Sequence, residues 1–362
     1  MSQDLAEAQR ADYAKEQRCI NGRTQRLSIG DPPDGVAESS QGKRRQVLMR
    51  LWLGLVLTLI LTGNAAARDR NPSEITLSGE HRFTAYIVNE EAEDVPVTLL
   101  VNATESGHIK LNYSFVQAAG IDPGYDAGYF TVGPIRFPSF YQKLRLRADT
   151  LNWKGKAYWS EGEYVDDEDG AIGPYGLPHD IVRFQWREEQ PGEEICTMRL
   201  HRIGWTRTAG TRIKVGKRTI NVFFSSLNLE SIATAAAGAA LAEAFDGELV
   251  GKTESATYPG DIDRPIRKVV LSEPLRLCAI TLNDFHVRLQ DYGDSSGIVD
   301  GDLRRANKDS DELTIIGAIP NPGTVLYDLD IRQEDMQHCS SVTFDKRKKQ
   351  IRLSCLPQAK TQ

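Results

Sequence analysis

The sequence predicts a mainly β protein with a few short helices, and three observations carry that prediction. Short runs rich in Val, Ile, Thr, Phe and Tyr recur along the chain, separated by turns bearing Gly, Pro or Asn-Asp. Helical signal is scarce. A strand, a polar kink and a helix recur in each half, as in a duplicated β unit.

The strand-like runs are Ile75–Leu77, Phe83–Val88, Val95–Val101, Tyr129–Val132, Leu144–Arg147, Ile181–Trp186, Thr211–Val215, Thr219–Phe224, Val269–Leu271, Leu275–Leu282, Phe285–Leu289 and Leu313–Ile316. Val215-Gly216-Lys217-Arg218 reads as a hairpin turn. Tyr113–Ala119 predicts a short helix stopped by Gly120, and Ala-rich Ser231–Phe245 a longer one stopped at Asp246-Gly247. Gln333–His338 is a third candidate. In the first half the repeat runs through Val97–Val101, the kink Asn102–Gly107, the strand His108–Leu111 and the first helix. In the second half it runs through Thr219–Phe224, the kink Ser225–Glu230 and the second helix.

The N-terminal region reads differently. Residues 1–48 are polar and lack apolar periodicity, which predicts a disordered extension or an upstream start, with Met49 as the alternative initiator. Residues 49–67 read as a cleavable signal peptide, with the apolar run Leu51–Leu61 after a basic flank and before Ala65-Ala66-Ala67. Such a run is short against the roughly 20 residues a spanning helix needs. A signal anchor in the inner membrane is the alternative. The expected location is therefore periplasmic or secreted, with membrane contact only through the export signal.

Nine basic and seven acidic side chains fall in residues 1–67, which leaves 35 against 43 in the remainder, or −8. That balance argues against a nucleic-acid partner. Four cysteines follow the signal, an even number suited to an oxidising compartment. Ser340–Phe344 and Gln350–Ser354 read as two strands around the polar turn Asp345–Lys349, which sets Cys339 opposite Cys355. Cys196 and Cys278 then pair by elimination. No C-x-x-C spacing is present, and no metal or cofactor is expected.

The succession of strand, polar kink, short strand and helix ending in Gly120-Ile121 resembles the retropepsin-like and pepsin-like aspartyl proteases. Ala171-Ile172-Gly173 resembles that family's second landmark, two apolar residues and a Gly. Its counterpart in the second half is either Ile315-Ile316-Gly317 or Leu329-Asp330-Ile331 with Arg332 in the Gly place. The stretch Cys339–Asp345 with Ile351–Leu353 is similar to the last hairpin of bacterial exported members. The resemblance implies two tandem lobes, 68–200 and 201–358, facing each other across a cleft, each supplying one catalytic Asp from an Asp-Thr-Gly kink.

This chain departs from that pattern where chemistry would occur. Asn102-Ala103-Thr104-Glu105 stands in the first kink and Ser225-Ser226 in the second. The family's reaction needs two carboxylates sharing a proton, and neither Asn nor Ser can replace one. The expectation is a non-catalytic module that binds an extended peptide or an envelope protein. Two alternatives stand beside it: an enzyme, either an endopeptidase with relocated acidic residues or a hydrolase using Ser225 or Glu105, and a β-sandwich module for envelope or carbohydrate binding.

A solvated loop role is expected for Glu105 and for the acidic run Asp166–Asp169, which lacks Ca²⁺-loop spacing. Asn102-Ala103-Thr104 and Asn112-Tyr113-Ser114 match the glycosylation pattern. No nucleophile elbow accompanies Ser106 and His108. Trp153, Tyr158, Trp159 and Tyr164, beside Lys154 and Lys156, form an aromatic cluster that either contacts a ligand or packs the strands.

Overall fold

The computed structural model describes residues 73–89, 93–122, 127–132, 135–226, 230–258, 262–291, 298–300 and 325–357. The signal segment 49–67, the extension before it and the run Leu313–Ile316 lie outside the described residues. No helix among the described residues is long and apolar enough to cross a membrane.

The strands, in chain order, are β1 (Glu74–Ser78), β2 (Arg82–Ile87), β3 (Val95–Val101), β4 (Ile109–Leu111), β5 (Ala127–Val132), β6 (Ile135–Ala148), β7 (Leu151–Trp159), β8 (Gly170–Ile172), β9 (Ile181–Gln185), β10 (Glu194–Arg199) and β11 (His201–Ile203). They continue as β12 (Thr208–Val215), β13 (Arg218–Phe224), β14 (Ile232–Ala233), β15 (Gly247–Tyr258), β16 (Ile262–Leu277), β17 (Ile280–Arg288), β18 (Val299–Asp300), β19 (Asp328–Ile331), β20 (Cys339–Asp345) and β21 (Gln350–Cys355). Helix α1 (Tyr113–Ala118) follows β4, helix α2 (Ala235–Ala244) follows β14, and Glu334–Met336 forms one 3₁₀ turn. The protein is thus mainly β, as its composition of short β-branched runs predicts.

Three sheets arise. The first runs β2-β3-β8-β4-β7-β6-β5, and a further β2–β6 pairing closes it into a barrel. The second runs β11-β12-β13-β19-β14-β17-β16-β15-β18. The third, β1-β9-β20-β21-β10, draws strands from both ends of the chain. Alternation explains the faces of each: on β3, Val97, Leu99 and Val101 point into the core, and on β13, Ile220, Val222 and Phe224 do so.

The two larger sheets contain the same connection. β3 runs parallel to β8, β8 antiparallel to β4, and β4 parallel to β7. β13 runs parallel to β19, β19 antiparallel to β14, and β14 parallel to β17. A helix follows the short strand in both cases. The register fixes which residues correspond, since Val101 faces Ile172 and Phe224 faces Ile331. Of the two candidate second landmarks, Leu329–Arg332 therefore matches Ala171–Gly173 in place, and Ile315–Gly317 lies outside the described residues.

Several element boundaries differ from the sequence reading. The run Leu275–Leu282 is not one strand but a hairpin, with Cys278 and Ala279 turning between β16 and β17. The helix expected from Ser231 begins at Ala235, because Ile232 and Ala233 are taken up between β17 and β19 as a two-residue strand. Thr234 then caps the helix, its Oγ1 accepting from the backbone N–H of Ala237 at 3.4 Å. The third helix is only the single 3₁₀ turn.

Both disulfides are present, Cys196–Cys278 and Cys339–Cys355. Cys339 faces Cys355 across the β20–β21 hairpin, in the register predicted. Cys196 on β10 ties the third sheet to the turn between β16 and β17 at Cys278. Disulfides of this kind fit an extracellular or periplasmic protein.

Candidate functional site: two facing kinks and the carboxylates beside them

Strand β3 ends where Asn102 turns out of the sheet. Its N–H donates to the Ile172 carbonyl at 3.1 Å, and its side-chain Oδ1 accepts from the N–H of Thr104 at 3.2 Å and the Thr104 hydroxyl at 3.1 Å. This is an Asx turn, the local bonding that short polar side chains favour at chain reversals. Gly173 seals the turn by close approach: a Cβ there would sit 2.0 Å from the Glu105 carbonyl oxygen. In the second half, the Ser225 N–H donates to the Ile331 carbonyl at 2.7 Å, the bond that Asn102 makes to Ile172. Asn102 and Ser225 thus hold equivalent places.

The kinks meet. The Ser226 hydroxyl donates to Asn102 Oδ1 at 3.4 Å, across 124 residues of sequence, and both side chains are buried. Ala103 is also fully buried. An amide and hydroxyls at the meeting point can orient and hydrogen-bond a ligand, but offer no acid or base in the working pH range. Ser106 spends its hydroxyl on the His108 carbonyl rather than on an imidazole.

Glu105 is not the solvated loop residue expected from sequence. Its side chain is largely buried, and its carboxylate pairs with Lys110 Nζ at 2.7 Å. The charge is tolerated because a cation on β4 meets it. Glu105 also reaches electrostatically into the second half, where it helps to raise the pKa of Asp330.

Asp330 was not singled out by sequence. On β19, Leu329 and Ile331 face the core, so Asp328 and Asp330 project from the opposite face. Asp328 accepts from Asn221 Nδ2 at 2.8 Å. The Asp330 carboxylate makes no hydrogen bond or ion pair among the described residues, although its backbone is paired in the sheet. Burial, reinforced by Asp328 and Glu105 and opposed by Arg288, pushes its carboxyl up to about 7. Burial likewise raises Asp328. The sequence signal was available: acids at i and i+2 alternate with two aliphatic residues in a strand-like run.

The same face carries a basic group. Arg288 on β17 pairs with Asp291 at 2.7 Å and lies over the Tyr258 ring. Arg264 on β16 is buried nearby, and its pKa is lowered by that burial.

The aromatic cluster divides. Trp159 is core, and Trp153 packs against Phe83. Tyr158 instead contacts His108, Tyr141 and Trp205, with centroids at 5.2, 5.4 and 5.7 Å. Lys156 lies over Tyr141, and Lys110 between Phe130 and Tyr164. Trp205, in the turn between β11 and β12, stays 66% exposed while touching this group.

The remaining candidates are structural. Asn112 is buried and spends its amide on the Val165 and Glu168 carbonyls, so it offers no accessible glycosylation site. Asn102 is likewise buried. In the acidic run, Glu168 bonds Arg82 and Asp169 accepts from the Thr98 N–H at 2.7 Å. Compared with known protein families and with characterised proteins, the chain matches none.

Proposed function

We propose that this chain is an aspartyl-protease-like protein of two lobes whose catalytic places are held by Asn102 and Ser225, and that it binds an extended peptide between the lobes without cleaving it. The observation that carries the reading is the equivalence and meeting of the two kinks. Each follows a core strand, each donates its first N–H to the parallel partner strand, and Ser226 of one reaches Asn102 of the other at 3.4 Å. A two-carboxylate mechanism has no carboxylate there to run on. Extended peptides suit such a site because strand-like backbone bonding positions the chain while alternate side chains enter pockets. Trp205, Tyr158 and His108 supply aromatic surface where residues of both halves meet.

The test uses the purified full chain. It should leave an unfolded protein substrate intact from pH 3 to pH 7 and should quench or shift Trp fluorescence on adding a mixed library of extended peptides. Pepstatin-sensitive cleavage would overturn the non-catalytic claim.

A second reading rests on Asp330. Its carboxyl near 7, in the field of Glu105 and Asp328, has the character of a relocated acid. Under that reading cleavage appears near neutral pH, and Asp330→Asn abolishes it while the fold persists.

A further inference from the structure

Arg264 is buried to 4% exposure, yet its Nε and Nη2 have no hydrogen-bond partner among the described residues. Those two nitrogens form one edge of the guanidinium, the edge that grips a carboxylate through two parallel N–H···O bonds. Buried charges are ordinarily paired, so an Arg left open along its bidentate edge calls for an external acceptor.

Register places Arg264 on the face that carries Asp328, Asp330 and Arg288. Ile266 of β16 faces Arg288 of β17, and Lys268 faces His286; His286 faces Ile232, which faces Asp330. Arg264, two residues before Ile266, shares this face. Its buried apolar members, Ile266 and Phe223, stand apart from the main core. Tyr258, Arg288 and Asp291 are the charged or polar neighbours that act on Arg264.

Charge selects the ligand. Arg288 and Arg264 share one close carboxylate, Asp291, which pairs with Arg288 and acts on Arg264 electrostatically. Asp328 and Asp330 on the same face disfavour a second negative charge. A monoanion fits and a phosphate dianion does not.

We infer that Arg264 is the anchor for a carboxylate of a bound peptide, either its free C-terminus or an Asp or Glu side chain. This deepens the peptide-binding reading and rests on it.

The experiment titrates the purified full chain with three fluorescein-labelled octapeptides of otherwise identical neutral sequence. One has a free C-terminus, one is amidated with an internal Glu, and one is amidated with Gln in that place. At least one carboxylate peptide should bind ten-fold or more tightly than the neutral one, and which arm does so identifies the source. Arg264→Gln should erase that preference, so that the carboxylate and neutral peptides bind the variant alike. A companion measurement needs no variant: the preferred peptide should raise the wild-type melting temperature more than the neutral peptide at equal concentration. If the three peptides bind wild type equally, or if Arg264→Gln keeps the preference, the anchor is refuted and peptide binding stands. If no peptide binds wild type, the peptide-binding reading itself falls, and the anchor with it.

Discussion

Glu193 offers the most direct test of how the third sheet is held. It lies just before β10, with its carboxylate 4% exposed. One oxygen accepts from Arg187 and from the Gln190 N–H, and the other accepts from the Ser340 and Ser354 hydroxyls at 2.6 and 2.8 Å. Burial alone would raise its pKa, but these hydrogen bonds outweigh burial and bring it down to about 2. A carboxylate depressed from 4.5 to about 2 contributes about 2–3 kcal/mol of stability at neutral pH, after allowance for screening at the sheet's rim. That contribution is complete above about pH 4.5 and is lost as pH falls through about 2. Glu193→Gln keeps the shape and an acceptor while removing the charge. Urea unfolding at pH 7, 5, 3.5 and 2.5 should show wild type ahead by about 2–3 kcal/mol at pH 7, with the gap closing toward pH 2. A gap that stays constant across this range would refute the assignment to charge and leave only lost packing.

Three further predictions follow from the same residues. Gly173→Ala should destabilise by about 3 kcal/mol, because its Cβ would meet the Glu105 and Ser106 carbonyls at 2.0 and 2.7 Å; thermal unfolding measures this. Lys346 donates to the Pro174 and Leu177 carbonyls, and burial lowers its pKa to about 8. The unfolded chain then holds more protons between pH 8 and about 10.5, so wild-type stability should rise across that window and Lys346→Met should flatten the rise. Asp330 behaves oppositely: the folded state holds its proton up to about 7, so its contribution falls between about pH 4 and pH 7. Asp330→Asn should remove that slope and raise the melting temperature at pH 8.

What the sequence disclosed was set by local patterns. Alternation in Val97–Val101 and Ile220–Phe224 identified core strands, and the polar residues after them identified the kinks. The Cys339–Cys355 pairing followed from strand lengths about a polar turn. What stayed hidden depended on distant partners. Ile232-Ala233 looks helical beside an Ala-rich run, and only β17 and β19 make it a strand. Glu105 looks solvated until Lys110 is placed beside it. Trp159 and Tyr158 are adjacent in sequence but point to opposite faces, one into the core and one toward Trp205. Arg264 resembles any charged residue near a strand end, because sequence does not reveal which arginine is buried without a partner among the described residues.

The positions of the titratable groups bear on whether chemistry survives. Two ionised carboxylates at places as close as Asn102 and the second kink would repel, and one would hold a proton to relieve it. An amide accepting from a hydroxyl bears no such tension, so the contact between Asn102 and Ser226 keeps the same bonding from acid to neutral pH. The shifted carboxyl is found instead on the neighbouring strand, at Asp330, where burial, Asp328 and Glu105 act together. Catalysis at the kinks would therefore require new carboxylates at Asn102 and Ser225 both, since a single acid there has no partner with which to divide the roles of acid and base. The proposed binding role requires neither, and it would use the edge of Arg264, unpartnered among the described residues, and the exposed face of Trp205.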